Sequence, residues 1–284
     1  MLKLDEFASV FKSASKRRFE AREVSLGRVL VVTDLSAEDT RLFTSDLKQF
    51  LSVVGDDAEF LEMSGDEFDN VGQTLERVER DRPDLIVAYR NVKGRAKHFP
   101  FSLGSHVDVL TQATSTPVLL VPLPDEAGRL SSRCENTDRV MVLTDHLTGS
   151  DALVSYGQHI TQTGGTLCLA HLEDDKILAR YMEVISKIPS IDTDEAGVDI
   201  PEQLLKEPRD YVRSCQQALA VSRPDLKVDS VVRMGHHIAD CQRLVEEYEI
   251  DVLVMNTKDE DQLAMSGLAY PIAVEFRELP LLLL

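Results

Sequence analysis

The sequence predicts an α/β protein made of two duplicated parallel-sheet sandwiches. Three observations carry that expectation: a β-branched run ending in Thr-Asp that occurs twice, two further apolar runs that recur in the same order, and helical patterns between them. Arg28-Val-Leu-Val-Val-Thr-Asp34 returns as Arg139-Val-Met-Val-Leu-Thr-Asp145. Asp84-Leu-Ile-Val-Ala88 is echoed by Asp251-Val-Leu-Val-Met255, and Thr116-Pro-Val-Leu-Leu-Val121 by Leu279-Pro-Leu-Leu-Leu-Leu284. The interval from Gly104 to Pro117 is 13 residues, as is that from Gly267 to Pro280. Runs apolar throughout are what strands buried on both faces of a parallel sheet require.

The helices follow from capping and periodicity. Ser36 is a suitable N-cap for a helix over 37–51, with Leu42, Phe43, Leu47 and Leu51 on its apolar side. Val71, Leu75 and Val78 form the stripe of a second helix that Arg82-Pro83 closes. Ile238, Cys241, Leu244, Val245 and Tyr248 mark a helix in the second unit. The units are unequal: Asp34 to Asp84 spans 50 residues, and Asp145 to Asp251 spans 106. The second has room for strands over 165–171 and 227–233, with a helical insertion over 177–221 that the acidic segment 191–199 is expected to interrupt. The first has only 58–63 as an intervening strand and is expected to lack one βα step. Residues 1–27 read as a helical extension, amphipathic over 1–22 through Leu4, Phe7, Val10, Phe11 and Ala14, that could cover the surface so exposed. The first unit is set at 28–123, a linker at 124–138, and the second unit at 139–284.

Composition narrows the function. With 31 Lys and Arg against 49 Asp and Glu, the net charge of −18 disfavours nucleic acid and anionic lipid as general partners. No apolar run approaches the roughly 20 residues of a membrane-spanning helix, the N-terminus lacks an apolar signal core, and Cys134, Cys168, Cys215 and Cys241 are scattered. These features fit a cytoplasmic protein without membrane insertion. No Walker sequence, GxSxG elbow or complete metal-ligand set occurs; His237 and Cys241 stand one helical turn apart with no third ligand evident.

One loop stands out against the acidic background. Residues 90–98 hold Arg90, Lys93, Arg95, Lys97 and His98 and no acid, and the stretch leads through Gly94 and Gly104 to Ser105, where a helix is expected to begin. Glycines allow close backbone approach, and a helix N-terminus offers unpaired N–H groups to phosphate oxygens. Lys93 and Arg95 are the expected cationic contacts. The glycines also fit an ordinary βα loop, the cations a solvated one, and Asp34 a helix cap.

With Val-Val-Thr-Asp34-Leu-Ser, Pro83-Asp-Leu-Ile-Val, and Asn91-x2-Gly94-x9-Gly104-Ser105 followed by Thr116-Pro-Val-Leu-Leu-Val, the chain resembles the universal stress proteins in tandem form. That resemblance implies the adenine nucleotide alpha hydrolase-like fold, a five-stranded parallel sheet between helices. It also implies a pseudo-dimer of the two units within one chain, compatible with further homodimerisation. It puts Asp34 near the adenosine of a bound ATP, with Asn91, Gly94, Gly104 and Ser105 along the phosphates; ADP or AMP would fit the same description. The family's nucleotide-binding motif begins with Gly where this chain has Asn91, a residue that tolerates left-handed backbone. In the second unit the loop is four residues shorter, carries Asp259-Glu260-Asp261, and has Leu268 after Gly267, so no nucleotide is expected there. The leading expectation is a stress-response regulator that binds nucleotide in its first unit with little or no turnover and acts on a protein partner. The alternative is a ligand-free interaction module with both sites lost.

Overall fold

The computed structural model describes residues 17–94, 101–144, 148, 150–257 and 269–284 of the 284-residue chain. The first unit comprises β1 (Arg28–Val32), α1 (Ala37–Phe50), β2 (Glu59–Met63), α2 (Val71–Asp81), β3 (Leu85–Tyr89), α3 (Ser105–Ala113) and β4 (Val118–Val121). The second comprises β5 (Arg139–Thr144), α4 (Asp151–Ile160), β6 (Thr166–Asp174), α5 (Asp175–Ile185), α6 (Thr193–Ser222), β7 (Lys227–Gly235), α7 (His237–Glu247), β8 (Val252–Met255), α8 (Ala269–Glu275) and β9 (Leu281–Leu283).

The strands lie in the order β2-β1-β3-β4-β9-β8-β5-β6-β7. Both halves are parallel within themselves, four strands in the first and five in the second. The repeat is also written in hydrogen bonds. Arg28 N–H donates to Asp84 Oδ2 at 2.9 Å, and Arg139 N–H donates to Asp251 Oδ2 at the same 2.9 Å. Each first strand is thus latched to the acid that precedes its neighbour.

The halves do not form two separate sheets. β4 and β9 pair antiparallel, joining everything into one nine-stranded sheet. Leu119 and Leu282 each stand two residues after the repeated proline, and they are partners in that register. Pairing equivalent positions puts a local twofold axis between them, as at a C2 interface. The reason is exposure: both strands are three or four consecutive apolar residues, and either edge left open would template aggregation. Leu281, Leu282 and Leu283 are at most 1% exposed.

Two expectations change. The acidic segment 191–199 does not interrupt the insertion as a whole; the break is short, and α6 begins at Thr193. The acids start the helix: Asp192 accepts hydrogen bonds from the N–H groups of Asp194 and Glu195, and Asp194 and Glu195 lie at its positive end. The helix expected over 1–22 falls mostly outside the described residues; of its remainder, residues 17–22 are not helical. They lie on the second half rather than at the first sheet's edge. Phe19 N–H donates to Ser214 Oγ and Arg22 N–H to Ser155 Oγ, both at 2.9 Å, and the Phe19 ring meets Tyr211 edge-on. No helix among the described residues is long and apolar enough to cross a membrane.

Candidate functional site

After β1 the chain crosses to one side of the sheet and after β3 to the other, so the carboxyl ends of these adjacent strands flank a topological switch point. Asp34 stands beyond β1, Tyr89 ends β3, and residues 90–94 follow it. Their side chains meet. Tyr89 hydroxyl donates to Asp34 Oδ1 and accepts from Asp34 N–H at 3.0 Å, while Lys93 N–H donates to Asp34 Oδ2 at 3.0 Å. Burial first, and then the hydrogen bond to Asp34, push the Tyr89 phenol far above its ordinary pKa, so it remains a donor. Asp34 therefore does not cap α1. Ser36 does, accepting from Asp39 N–H at 3.2 Å.

Lys93 closes the crevice from the other side. Its ammonium donates to Gly65 O at 2.5 Å and sits 5.1 Å from the Phe68 ring centroid. Phe68 in turn packs edge-on against the buried His106 ring. Burial lowers the His106 pKa, with lesser effects from Val92, Lys93 and Asp34. Gly65 is required here: a Cβ on it would stand 2.6 Å from Asp34 O. The sequence reading missed Gly65, Phe68, Tyr89 and His106. The Ser64-x-x-Glu67 pattern was available as a signal, because it forms a capping box that turns the chain at Gly65.

The glycine loop is built as follows. Asn91 is left-handed at φ 54°, a conformation that Asn tolerates better than most residues. Its side chain adds what glycine would lack: Nδ2 donates to Ser102 O at 3.0 Å, while its N–H donates to Leu103 O at 2.7 Å. Gly94 N–H turns back to Asn91 O at 2.7 Å. Gly104, at φ 87°, packs so closely that a Cβ would lie 2.7 Å from Asn91 Cα. Ser105 is exposed at the first position of α3, which has no side-chain cap among the described residues, leaving first-turn N–H groups for an incoming acceptor. Lys93 is also left-handed, at φ 58°. Strain of that kind gathers where a backbone is held for function.

Among the described residues, Asp34, Asn91, Lys93, Gly94, Gly104 and Ser105 thus gather beyond β1 and β3. Arg95 lies outside the described residues, as do Lys97, His98, Asp145 and the loop over 258–268 with Gly267. Arg90 departs from the expected basic run. It is 3% exposed, and its Nη2 donates to Phe276 O of the second half at 2.7 Å. In the second unit, Cys241 is core, and Asp240 beside it pairs with Arg233 and Arg243.

The architecture defines a class: doubly wound α/β units joined edge to edge, with a loop and a helix N-terminus at a switch point. More particularly, the fold is shared with a universal stress protein from Archaeoglobus fulgidus DSM 4304. The TM-score is 0.56 at 13% identity, over 91% of this chain and 96% of that one. A protein of unknown function from Pseudomonas aeruginosa PAO1 superposes with TM-score 0.50 at 14% identity, over 91% and 92% of the two chains. No protein-family model matches the sequence, and neither does any curated protein. This chain has the universal stress protein fold.

Proposed function

We propose that the chain is a cytoplasmic stress-response regulator that binds one adenine nucleotide, ATP in the leading case, with little or no turnover. On this reading residues 28–123 and 139–284 act as two units, and only the first retains a site. Asn91, Gly94, Gly104 and Ser105 follow the phosphates, Lys93 and Arg95 supply charge, and Asp34 faces adenosine. The observation that supports it most is the uncapped N-terminus of the nine-residue α3, reached through Gly104 and braced by left-handed Asn91. A phosphate there would accept the free N–H groups of the first turn. Heating the purified chain and analysing what it releases tests the reading. About one adenine nucleotide per chain is the expected result.

A second reading, an interaction module without ligand, is favoured by one feature. Both Asp34 carboxylate oxygens are engaged, by Tyr89 and by Lys93, and the Lys93 ammonium spans to Gly65. If no nucleotide is released and none binds in calorimetric titration, this second reading replaces the first.

A further inference from the structure

Tyr89 is the last residue of β3 and Arg90 opens the turn that follows it, and their side chains part company. Tyr89 goes to Asp34, while Arg90 enters a cleft of about 940 Å³ between the halves. Its walls bring together Arg90 and Leu123 of the first half, Arg133 of the connecting segment, and Phe276, Arg277 and Glu278 from the turn between α8 and β9. Arg90 is almost wholly buried, and among the described residues its one hydrogen-bond partner is Phe276 O. Its Nε and Nη1, which carry three N–H bonds between them, are buried without a partner among the described residues. Burial first, and then the neighbouring Arg277 charge, bring the Arg90 pKa down to about 10. Arg277 itself stacks over Phe101 at 5.0 Å.

Carboxylates also line the cleft, but none among the described residues pairs with Arg90. Glu249 pairs with Arg139, Asp251 accepts Arg139 N–H at 2.9 Å, and Glu275 accepts from Gln242 at 3.3 Å. Glu246 and Glu278 line it as well. A buried guanidinium lacking an anion, beside a second guanidinium, is a costly arrangement unless a ligand completes it.

We propose that this cleft is a binding site for a compact oxyanion, the phosphate or carboxylate head of a small metabolite, held by Arg90 with Arg277 and Arg133 between the two halves. All three cations are arginines, whose planar donors match such oxygens. Glu246 and Glu278 on the same walls oppose an extended polyphosphate. The site is separate from the nucleotide reading and does not depend on it.

The test uses the full chain with inorganic phosphate and with succinate, each against chloride at equal ionic strength, read by calorimetry and thermal melting. At least one of the two anions should bind saturably and raise the melting temperature by roughly 5 °C at about a hundredfold excess over Kd. Which one does so identifies the head group. Arg277→Gln, on an exposed side chain, should weaken that binding about tenfold, and Glu278→Gln should strengthen it. Asp108→Asn, which removes an acid from the first turn of α3, should leave it unchanged. The proposal is overturned if neither anion binds saturably, or if Arg277→Gln binds as the wild type does. Binding strengthened by Asp108→Asn but unaltered in Arg277→Gln also overturns it, since the anion would then sit at α3.

Discussion

Leu282 is where the two halves can be made to answer for each other. It is 1% exposed, pairs with Leu119 of β4 on one side and registers with Val254 of β8 on the other. Leu282→Ala removes three buried carbons from the middle of a nine-stranded sheet, which costs about 2–5 kcal/mol depending on how far the site collapses. Against a typical total of roughly 5–15 kcal/mol, that is a large share. At a urea dependence of about 3 kcal/mol per molar, a loss of about 3 kcal/mol lowers the unfolding midpoint by about 1 M. Because β9 bonds to strands of both halves, the chain should unfold in one transition, in the wild type and in the variant. The sequence has no tryptophan, so circular dichroism follows the whole chain and thiol exposure at Cys168 and Cys215 follows the second half. The two signals should move together. Separate transitions, with only the thiol signal shifted, would show that the β4–β9 pairing couples nothing; an unchanged midpoint would refute the burial argument itself.

Three further outcomes are expected. Gly104→Val forces a β-branched residue to φ 87° and against Asn91 Cα, at a cost on the order of 1–3 kcal/mol, and should abolish nucleotide binding, whereas Gly267→Val should leave nucleotide content untouched; equal loss in both, with the fold intact, contradicts the assignment to the first unit. Burial raises the Asp108 pKa, so the native state favours its protonated form and loses stability as pH climbs through that value. Asp108→Asn should therefore melt higher than wild type at pH 7, with the gain vanishing once the pH falls below the ordinary carboxylate range, where Asp108 is protonated in both states; a less stable variant at pH 7 would mean the α3 dipole outweighs burial. Finally, burial pushes the thiols of Cys134, Cys168, Cys215 and Cys241 up to about 12, so iodoacetamide at pH 8 should leave the native protein unlabelled and modify all four once urea unfolds it.

What the amino-acid sequence determines alone is local or periodic. The repeated apolar runs become the buried strands β1, β3, β4, β5, β8 and β9, because a strand enclosed on both faces admits little else. Ser36 caps α1, and Ser105 opens α3 where the glycine before it breaks the chain. Asn91 is left-handed, a backbone that its short polar side chain tolerates. Other features were decided only by tertiary structure. The antiparallel pairing of β4 with β9 is a long-range choice that no local pattern records, and it turns two parallel sheets into one. The basic run 90–98 reads as one patch in sequence, yet the turn after β3 sends Arg90 to the cleft between the halves, while Lys93 turns back to Gly65. Asp34 follows β1 closely, as the repeat leads one to expect, but Tyr89, 55 residues away, decides what its carboxylate touches. Spacing along a chain sets which residues can share an element; which face each takes, and what it meets there, is set by packing between elements that are distant in sequence.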